Sequence, residues 1–336
     1  MNDVRWFAPN RYCTLPATRL EAMGFTVALE GEAPARLALA ADGECAVAAY
    51  EWAHRHGVPL GLYVWDLPPW RLGRGRPDLV LDLGGRLRTV PSPLLRYPGR
   101  PGHYSRLRFV ARRAAAVWCP SSQTAADLAA RFGVRAAVVP FCYDSDRFTR
   151  DSAPERPWKV ALGRAARPIV LAVSRLVPHK NHAALIRAAA GCLPKPLVRL
   201  VGRGPEAPGL RALARDLGVP VDLEDRWATD EEVLRAYRAA DLVVAISRFE
   251  GFGLTPLEAL ACGVPVVASD IPPHREALGA RVGLVPLDDP AALIDAMGTA
   301  LRTPPDRVPE PPVALTIDAC AARFRDRLLD LLGRVA

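Results

Sequence analysis

The residues best suited to chemistry lie in the stretch E-G-F-G-L-T-P-L-E, which starts at Glu250, ends at Glu258 and follows a short apolar run. Gly251 and Gly253 let the backbone turn tightly and approach a ligand closely. Thr255 is typical of a helix N-cap, and Glu258 three residues later fits a capping box, which explains that glutamate without any ligand. A glycine loop that leads from a strand into a helix presents backbone amides to an anion. The stretch therefore predicts an anion site, where the Glu250 carboxylate could accept hydrogen bonds from sugar hydroxyls.

Two cations follow an earlier predicted strand, in the stretch S-R-L-V-P-H-K-N that runs from Ser174 to Asn181. Asn181 suits the N-cap of the next helix. The chain has 41 Arg but three Lys, so a lysine at 180 indicates a position where a compact ammonium serves better than a guanidinium. Arg175 and Lys180 together could neutralise a departing diphosphate. The alternative is that both are solvated loop cations.

A third candidate is the turn V-G-R-G-P-E after the next predicted strand, in which Gly202 and Gly204 would permit close approach of a nucleoside. The alternative is an ordinary tight turn. Arg226 and Trp227 follow the strand after that, and the indole could stack on a base. A rim or core aromatic explains Trp227 equally well.

Strands that alternate with helices must position these loops, which is the pattern of a doubly wound parallel sheet. The predicted strands cover residues 4–8, 25–29, 37–40, 58–64, 115–119 and 135–139, then 169–173, 197–201, 219–223, 241–246 and 265–268. The predicted helices cover residues 17–23, 44–56, 103–113, 123–132, 181–190, 209–217, 230–239, 291–301 and 317–332, with a further helix after the glycine loop. The chain is thus expected to hold two similar α/β halves.

The length of 336 residues suits two domains. We expect an N-terminal domain over 1–150, a C-terminal domain over 151–315, and a last helix within 316–336. Residues 150–167 are interpreted as the linker, and residues 67–102, rich in Pro, Gly and Arg, as a long irregular segment.

The net charge of +8 lies mostly in the first half, where residues 1–150 hold 20 Arg and 13 acidic residues. Eleven Arg between Arg71 and Arg113 face two aspartates. This excess favours an anionic partner, either a phosphorylated acceptor or an acidic membrane face, although a solvated arginine-rich surface is the alternative. No module for nucleic acid is recognisable, so that partner is not expected.

The seven cysteines are spread widely, with no C-x-x-C pair. This argues against a disulfide framework and a zinc site and for a reducing cytosol. No apolar run reaches the length of a membrane span, and the N-terminus lacks the features of a signal peptide. We therefore expect a cytoplasmic protein, with peripheral contact at the inner membrane face left open.

The order of these motifs resembles the retaining glycosyltransferase family 4, also called glycosyl transferases group 1. The family pattern is an Arg and a Lys at the diphosphate, a G-x-G-P turn, and two glutamates separated by seven residues. All three occur here in order, and the resemblance covers about residues 168–300. It implies the GT-B fold, in which two Rossmann-like doubly wound domains face each other across a cleft.

The resemblance also implies roles for individual residues. Arg175 and Lys180 would hold the diphosphate of a UDP- or GDP-linked sugar, Glu250 would contact the transferred sugar, and Glu258 would bind the ribose. The remaining donor-site residues are Gly251, Phe252, Gly253, Leu254, Thr255, Gly202, Gly204, Arg226 and Trp227. The family needs neither a metal nor a cofactor, so the D-S-D stretch from Asp144 to Asp146 is interpreted as a chance match to a metal motif.

The first half departs from the family pattern. The loop after the first strand, residues 9–16, contains no glycine, and a Trp65-Asp66 pair stands where a His-Asp pair is usual. Asp66 could still orient the acceptor hydroxyl, with a solvated loop carboxylate as the alternative. The implied activity is transfer of a sugar to an acceptor hydroxyl of a natural product, polysaccharide or lipid-linked glycan. An epimerase or phosphorylase on the same fold and a non-catalytic sugar-nucleotide binding protein are the other hypotheses.

Overall fold

The computed structural model describes residues 2–31, 33–68, 103–150 and 167–333. The chain divides into two compact units, of which one comprises Met1–Cys142 with Ile317–Ala336 and the other Tyr143–Thr316. Most of the predicted linker, and the predicted irregular segment from residue 69 onward, lie outside the described residues. Of the eleven arginines between Arg71 and Arg113, the first seven lie outside them as well.

The first unit is built on six parallel strands in the order β2-β1-β3-β4-β5-β6. These strands are β1 (Asn2–Phe7), β2 (Val27–Ala28), β3 (Ala35–Ala40), β4 (Leu60–Tyr63), β5 (Ala116–Cys119) and β6 (Ala137–Val138). The intervening helices are α1 (Ala17–Leu20), α2 (Ala46–His56), α3 (His103–Ala111) and α4 (Ser122–Phe132). Since helices cover both faces of a parallel sheet, its central strands are rich in buried apolar residues, and β4 is buried along its whole length.

The second unit is built on six more parallel strands in the order β12-β11-β10-β7-β8-β9. These are β7 (Ile169–Val173), β8 (Leu197–Val201), β9 (Val221–Leu223), β10 (Leu242–Ala245), β11 (Val266–Ser269) and β12 (Gly283–Val285). Its helices are α5 (His182–Gly191), α6 (Ala207–Asp216), α7 (Asp230–Ala239), α8 (Leu254–Ala261), α9 (Pro272–Leu278) and α10 (Pro290–Ala300). The strand order reverses between β7 and β10, so their carboxyl ends flank the crevice where such sheets bind ligands.

The last helix, α11 (Ile317–Gly333), packs within the first unit. Phe324 is fully buried, with its ring centroid 5.5 Å from those of both Trp6 and Tyr63. At the helix surface, the Arg323 guanidinium donates to the carbonyl of Pro140 at 3.0 Å. The helical spacing of apolar residues in the sequence is what allows this helix to bury one face.

The fold class predicted from the sequence, two doubly wound parallel sheets, is confirmed. The bounds of β7, β8 and α7 agree with prediction, and most other elements differ by one to three residues at their ends. Two elements were not predicted: α9, which opens on two prolines, and β12, which has three residues and begins with glycine. Both lack the length that makes a periodic pattern recognisable. Within the described residues, no helix is long and apolar enough to cross a membrane.

Candidate functional site

The candidate site lies where β7 and β10 end, at the reversal of strand order in the second unit. The loop after β7 contains the short 3-10 turn Pro178–Lys180, and the loop after β10 contains the glycine stretch. The amide of Arg248 donates to the carbonyl of His179 at 2.7 Å, which ties the two loops together. Tertiary structure thus joins two motifs that are 70 residues apart.

Lys180 and Glu250 form an ion pair in which the Lys180 ammonium donates to the Glu250 carboxylate. Both side chains are largely buried, with 16% and 20% of their surface exposed. Burial raises the pKa of Glu250, but the charge of Lys180, His274 and hydrogen bonds from Lys180 and Ser247 together outweigh it, so the pKa lies well below its usual range. The carboxylate is therefore ionised at neutral pH, as required for accepting hydroxyl hydrogen bonds.

Arg175 lies in the same crevice loop as Lys180 and is exposed. Within the described part of the chain its guanidinium makes no hydrogen bond or ion pair, whereas the Lys180 ammonium already has an anionic partner. Asn181 is the N-cap residue of α5, as predicted, but the expected side-chain cap is wrong: the backbone is left-handed, with φ of 60°, and the side chain makes no capping hydrogen bond. Asparagine tolerates this conformation better than most residues, and it lets the 3-10 turn lead directly into α5.

The predicted capping box at Thr255 and Glu258 is also wrong. Gly253 is the N-cap of α8, with φ of 107°, so Leu254 and Thr255 are already the first helical residues. The Thr255 hydroxyl donates instead to the carbonyl of Val173, at the end of β7, over 3.3 Å. Any residue with a side chain would be strained at the φ of Gly253, and its Cβ would lie 2.9 Å from the His274 ring. The glycine is therefore required by the structure itself.

Glu258 is 5% exposed on α8, and its Oε2 accepts a hydrogen bond of 2.9 Å from the hydroxyl of Tyr237. Gly251 and Phe252, which precede the N-cap, are buried as well. A capping box does occur elsewhere, at the start of α7. There the Thr229 hydroxyl accepts from the amide of Glu232 at 3.2 Å, and the Glu232 carboxylate accepts from the amide of Thr229 at 2.7 Å. Because Glu258 does not occupy the capping-box position of α8, a capping role does not explain this glutamate. Its contact with the ribose stays a prediction.

Gly202 and Gly204 are explained by close packing of the loops after β7 and β8. A Cβ at Gly202 would lie 2.0 Å from the carbonyl oxygen of Ser174, and one at Gly204 would lie 2.2 Å from that of Leu176. The amide of Leu176 donates to the carbonyl of Arg203 at 2.9 Å. These glycines thus hold the Arg175 loop in place, and their contact with a nucleoside stays a prediction.

Arg226 and Gly202 line one cavity of about 80 Å³ at the ends of β8 and β9. The Arg226 guanidinium pairs with Glu232 at 2.7 Å and with Glu224 at 2.5 Å. Hydrogen bonds from Arg226 and from the Thr229 amide lower the pKa of Glu232 to about 2. Trp227 is 60% exposed and does not line the cavity. The structure therefore brings Arg226 and Gly202 together at one cavity and leaves Trp227 at the surface, and the contact of these residues with a base stays a prediction.

Two buried histidines beside the site were not predicted. His182, the first residue of α5, is 2% exposed, and its Nε2 lies 3.0 Å from the hydroxyl of Ser174. Burial and the nearby charge of Lys180 lower its pKa to about 4. His274, on the unpredicted helix α9, is 0% exposed, and burial lowers its pKa as well. Only the position of His182, two residues after Lys180, could have drawn attention to it in the sequence.

Two further candidate residues belong to other loops of the chain. Asp66 follows β4 in the first unit and is half-buried, so its role toward an acceptor stays a prediction. Asp144 is 3% exposed, and its carboxylate accepts from the backbone amide of Arg147 at 3.3 Å. That turn gives Asp144 a structural role.

Comparison with known proteins identifies related chains. Residues 157–308 match the family model described as glycosyl transferases group 1. A GDP-mannose-dependent alpha-(1-6)-phosphatidylinositol monomannoside mannosyltransferase from Mycolicibacterium smegmatis is 34% identical over 213 residues, which are 59% of this chain and 56% of the relative. A D-inositol 3-phosphate glycosyltransferase from Actinosynnema mirum is 40% identical over 150 residues, or 40% of this chain and 35% of the relative. The chain thus spans about half or less of the length of these relatives.

Among solved structures, HepE from Anabaena in complex with UDP and glucose aligns with this chain at a TM-score of 0.68 and 17% identity. The alignment covers 100% of this chain and 98% of the HepE chain. WaaG, a glycosyltransferase involved in lipopolysaccharide biosynthesis, matches with a TM-score of 0.61 and 16% identity. At these identities the likeness shows the fold, which is GT-B. The family match, by contrast, covers the loops that contain Arg175, Lys180 and Glu250.

Proposed function

Because residues 157–308 match the family model of glycosyl transferases group 1, we propose that this chain transfers a sugar from a nucleotide-diphosphate sugar to an acceptor hydroxyl. The observation that carries the proposal is the Lys180–Glu250 pair at the switch point of the second sheet, beside the exposed Arg175. Two cations near the start of α5 suit a diphosphate whose charge grows as the sugar leaves. An ionised carboxylate beside them suits the hydroxyls of that sugar.

The proposed mechanism relies on leaving-group stabilisation. Lys180 and Arg175 would neutralise the diphosphate, with the first turn of α8 at Leu254 and Thr255 beside it. Glu250 would orient the sugar, Glu258 would bind the ribose, and the base would lie between the Gly202–Gly204 turn and Arg226-Trp227. We propose retention of configuration, with the departing phosphate accepting the acceptor's proton on the same face, and no requirement for a metal. A double displacement would need a carboxylate beneath the anomeric carbon, and the sequence identifies none.

An anionic acceptor suits this chain best. The names of both curated relatives contain an inositol phosphate or phosphatidylinositol, and residues 1–150 of this chain carry a net charge of +7. Positive potential raises the local concentration of an anionic substrate and its rate of encounter. Peripheral contact with an anionic membrane would follow if the acceptor is a lipid.

The test begins with thermal-shift and calorimetric titrations of GDP-mannose, UDP-glucose and their free nucleotides. Each donor that binds is then incubated with inositol phosphates, phosphatidylinositol vesicles and neutral sugars, and both nucleotide release and glycosylated product are measured, with and without EDTA. We expect nucleotide release only when an acceptor is present, and an unchanged rate in EDTA. Conversion of the donor into an isomeric nucleotide sugar without nucleotide release would instead support an epimerase, and turnover that requires inorganic phosphate would support a phosphorylase. Nucleotide release without any acceptor would indicate hydrolysis of the donor, and binding without turnover across the panel would support a sugar-nucleotide binding protein.

A further inference from the structure

His274 has one ring nitrogen whose role the proposed function does not explain. Its Nδ1 lies 2.9 Å from the carbonyl oxygen of Ser269. A carbonyl oxygen can only accept, so Nδ1 must carry the hydrogen, and Nε2 of the neutral ring is left as an acceptor. That Nε2 is buried and has no hydrogen-bond partner among the described residues. An unsatisfied buried acceptor is costly, which favours a second state of the protein in which Nε2 is used.

The ring edge that bears Nε2 faces the glycine loop. A Cβ placed on Gly253 would lie 2.9 Å from Cδ2 and 3.4 Å from Nε2 of His274, so this ring edge packs closely against the backbone of Gly253. On the other side, the Ser269 hydroxyl donates to the carbonyl of Ser247 at 2.6 Å, and Ser247 in turn hydrogen-bonds to Glu250. His274 is therefore coupled to the Glu250 loop through both of its ring edges.

The Lys180 ammonium has two uses at this site. In the structure it pairs with Glu250, and in the proposed function, on which this inference rests, it serves the donor diphosphate. A diphosphate carries more charge than one carboxylate and would draw the ammonium away. Glu250 would then be a largely buried carboxylate deprived of its counter-ion, which is strongly unfavourable unless another positive charge replaces it.

We propose that His274 takes up a proton from solvent on Nε2 when the donor binds, and so replaces Lys180 as the counter-charge of Glu250. His274 is thereby a positioning residue, since it keeps Glu250 ionised and fixed for the sugar hydroxyls without touching the donor. The one nitrogen that lacks a partner is the one that receives the proton, and the Nδ1 hydrogen bond to Ser269 is retained.

The charges around His274 act in the required direction. Burial lowers its pKa most, the Glu250 carboxylate and the Ser269 carbonyl raise it, and the Lys180 ammonium lowers it further. Movement of Lys180 away from Glu250 removes a lowering influence and leaves the raising one uncompensated. Other titratable groups near the site are His179 and His182, which flank Lys180, while Asp270 and Arg275 form an ion pair with each other. Both flanking histidines must therefore be tested alongside His274.

The experiment is calorimetric titration with GDP-mannose or UDP-glucose at pH 6.5, in buffers of different ionisation enthalpy. Intact nucleotide sugars are the right probes because their diphosphate is esterified at both ends and does not titrate near neutral pH. The terminal phosphate of a free nucleoside diphosphate does titrate there. The dependence of heat on buffer gives the number of protons exchanged. We expect net uptake approaching one proton per bound donor, loss of that uptake in His274→Gln, and its retention in His179→Gln and His182→Gln.

Two further measurements guard against a misfolded His274 variant. Glu250→Gln removes the carboxylate but leaves the ring in place, so donor binding, although weaker, should proceed without proton uptake. In the unaltered protein, the ¹⁵N shift of His274 Nε2 should change from an acceptor value to a protonated one as the donor saturates. Binding without proton uptake, or uptake that survives His274→Gln, overturns this inference alone. Absence of any binding overturns the proposed function together with it.

Discussion

The two units share an architecture but end their strands in different chemistry. In the first unit, aromatic rings gather around the end of β4, where Tyr63, Trp65 and Phe141 contact one another and Phe324 of α11 packs on two of them. In the second unit, the loops after β7 and β10 contribute the Lys180–Glu250 ion pair, the loop after β10 contains the glycine stretch, and two buried histidines lie beside them. The same sheet can therefore support a packed aromatic cluster or an electrostatic site, depending on the loops.

Substitutions should therefore have different consequences in the two units. Aromatic contacts in the first unit contribute mainly to stability, because the rings pack against one another. The buried charges and the left-handed backbone positions of the second unit lower the stability of the fold, which is typical of ligand-binding sites. Four predictions test the contrast, from the largest expected free-energy effect to the smallest.

Phe324→Ala should destabilise the first unit by about 4 kcal/mol, because it leaves a cavity among Trp6, Tyr63 and Phe141. Urea unfolding monitored by tryptophan fluorescence measures the loss. Leu329→Ala on the exposed face of the same helix is the control and should change stability by less than about 0.5 kcal/mol. Donor binding by the folded Phe324→Ala variant should be unchanged, and a large loss of binding affinity would contradict the separation of roles.

Lys180→Ala should lower kcat/KM by a hundredfold to a thousandfold, about 3–4 kcal/mol of transition-state stabilisation, because the departing diphosphate loses its cation. Steady-state transfer assays measure this effect. Arg215→Ala, which removes an exposed cation on α6, is the matched control. Lys180→Arg should recover only part of the activity, since a planar guanidinium does not replace a compact ammonium. Equal rates for Lys180→Ala and the control would refute the role.

His182 should make stability depend on pH below neutrality. Its folded-state pKa of about 4 lies below the ordinary value of 6.5, so the unfolded chain binds a proton first as the pH falls. The stabilisation is complete above pH 6.5 and is lost between 6.5 and 4, by about 3 kcal/mol for this shift.

His182→Gln should remove that part of the pH dependence from urea unfolding curves, and the exposed His54→Gln should leave it intact. The pKa of His274 is also lowered in the folded state, so part of the loss of stability at low pH should persist in His182→Gln. Identical slopes in His182→Gln and the unaltered protein would show that His182 titrates normally.

Gly253→Ala should cost about 2 kcal/mol, because alanine resists the φ of 107° and its Cβ would press on the His274 ring. Thermal unfolding gives the stability change. Gly209→Ala is the control, since Gly209 lies in α6 with open space around it and should be neutral or slightly stabilising. Donor affinity should fall in Gly253→Ala alone. A Gly253→Ala variant as stable as the control would mean that the loop relaxes freely.

The sequence predicted regular elements far better than it predicted caps. The run I-V-L-A-V gives β7 its observed bounds because a buried parallel strand needs only continuous apolar residues. The capping box at Thr255 failed because Thr-x-x-Glu fits several helix registers, and the left-handed Gly253 shifted the helix start. Helix α9 was missed because its prolines indicate a turn as readily as a first helical turn, and with it His274 was missed.

Hydrophobic periodicity and the positions of glycines are local signals, so they sufficed to predict the alternation of strands and helices and to place Arg175, Lys180 and Glu250 at strand ends. The pairing of Lys180 with Glu250, the hydrogen bond from Tyr237 to Glu258 and the burial of two histidines became evident from the folded chain. These facts depend on which strands become neighbours when the order of the sheet reverses. Contacts across such a distance follow from the packing of the whole unit, and no local pattern encodes them.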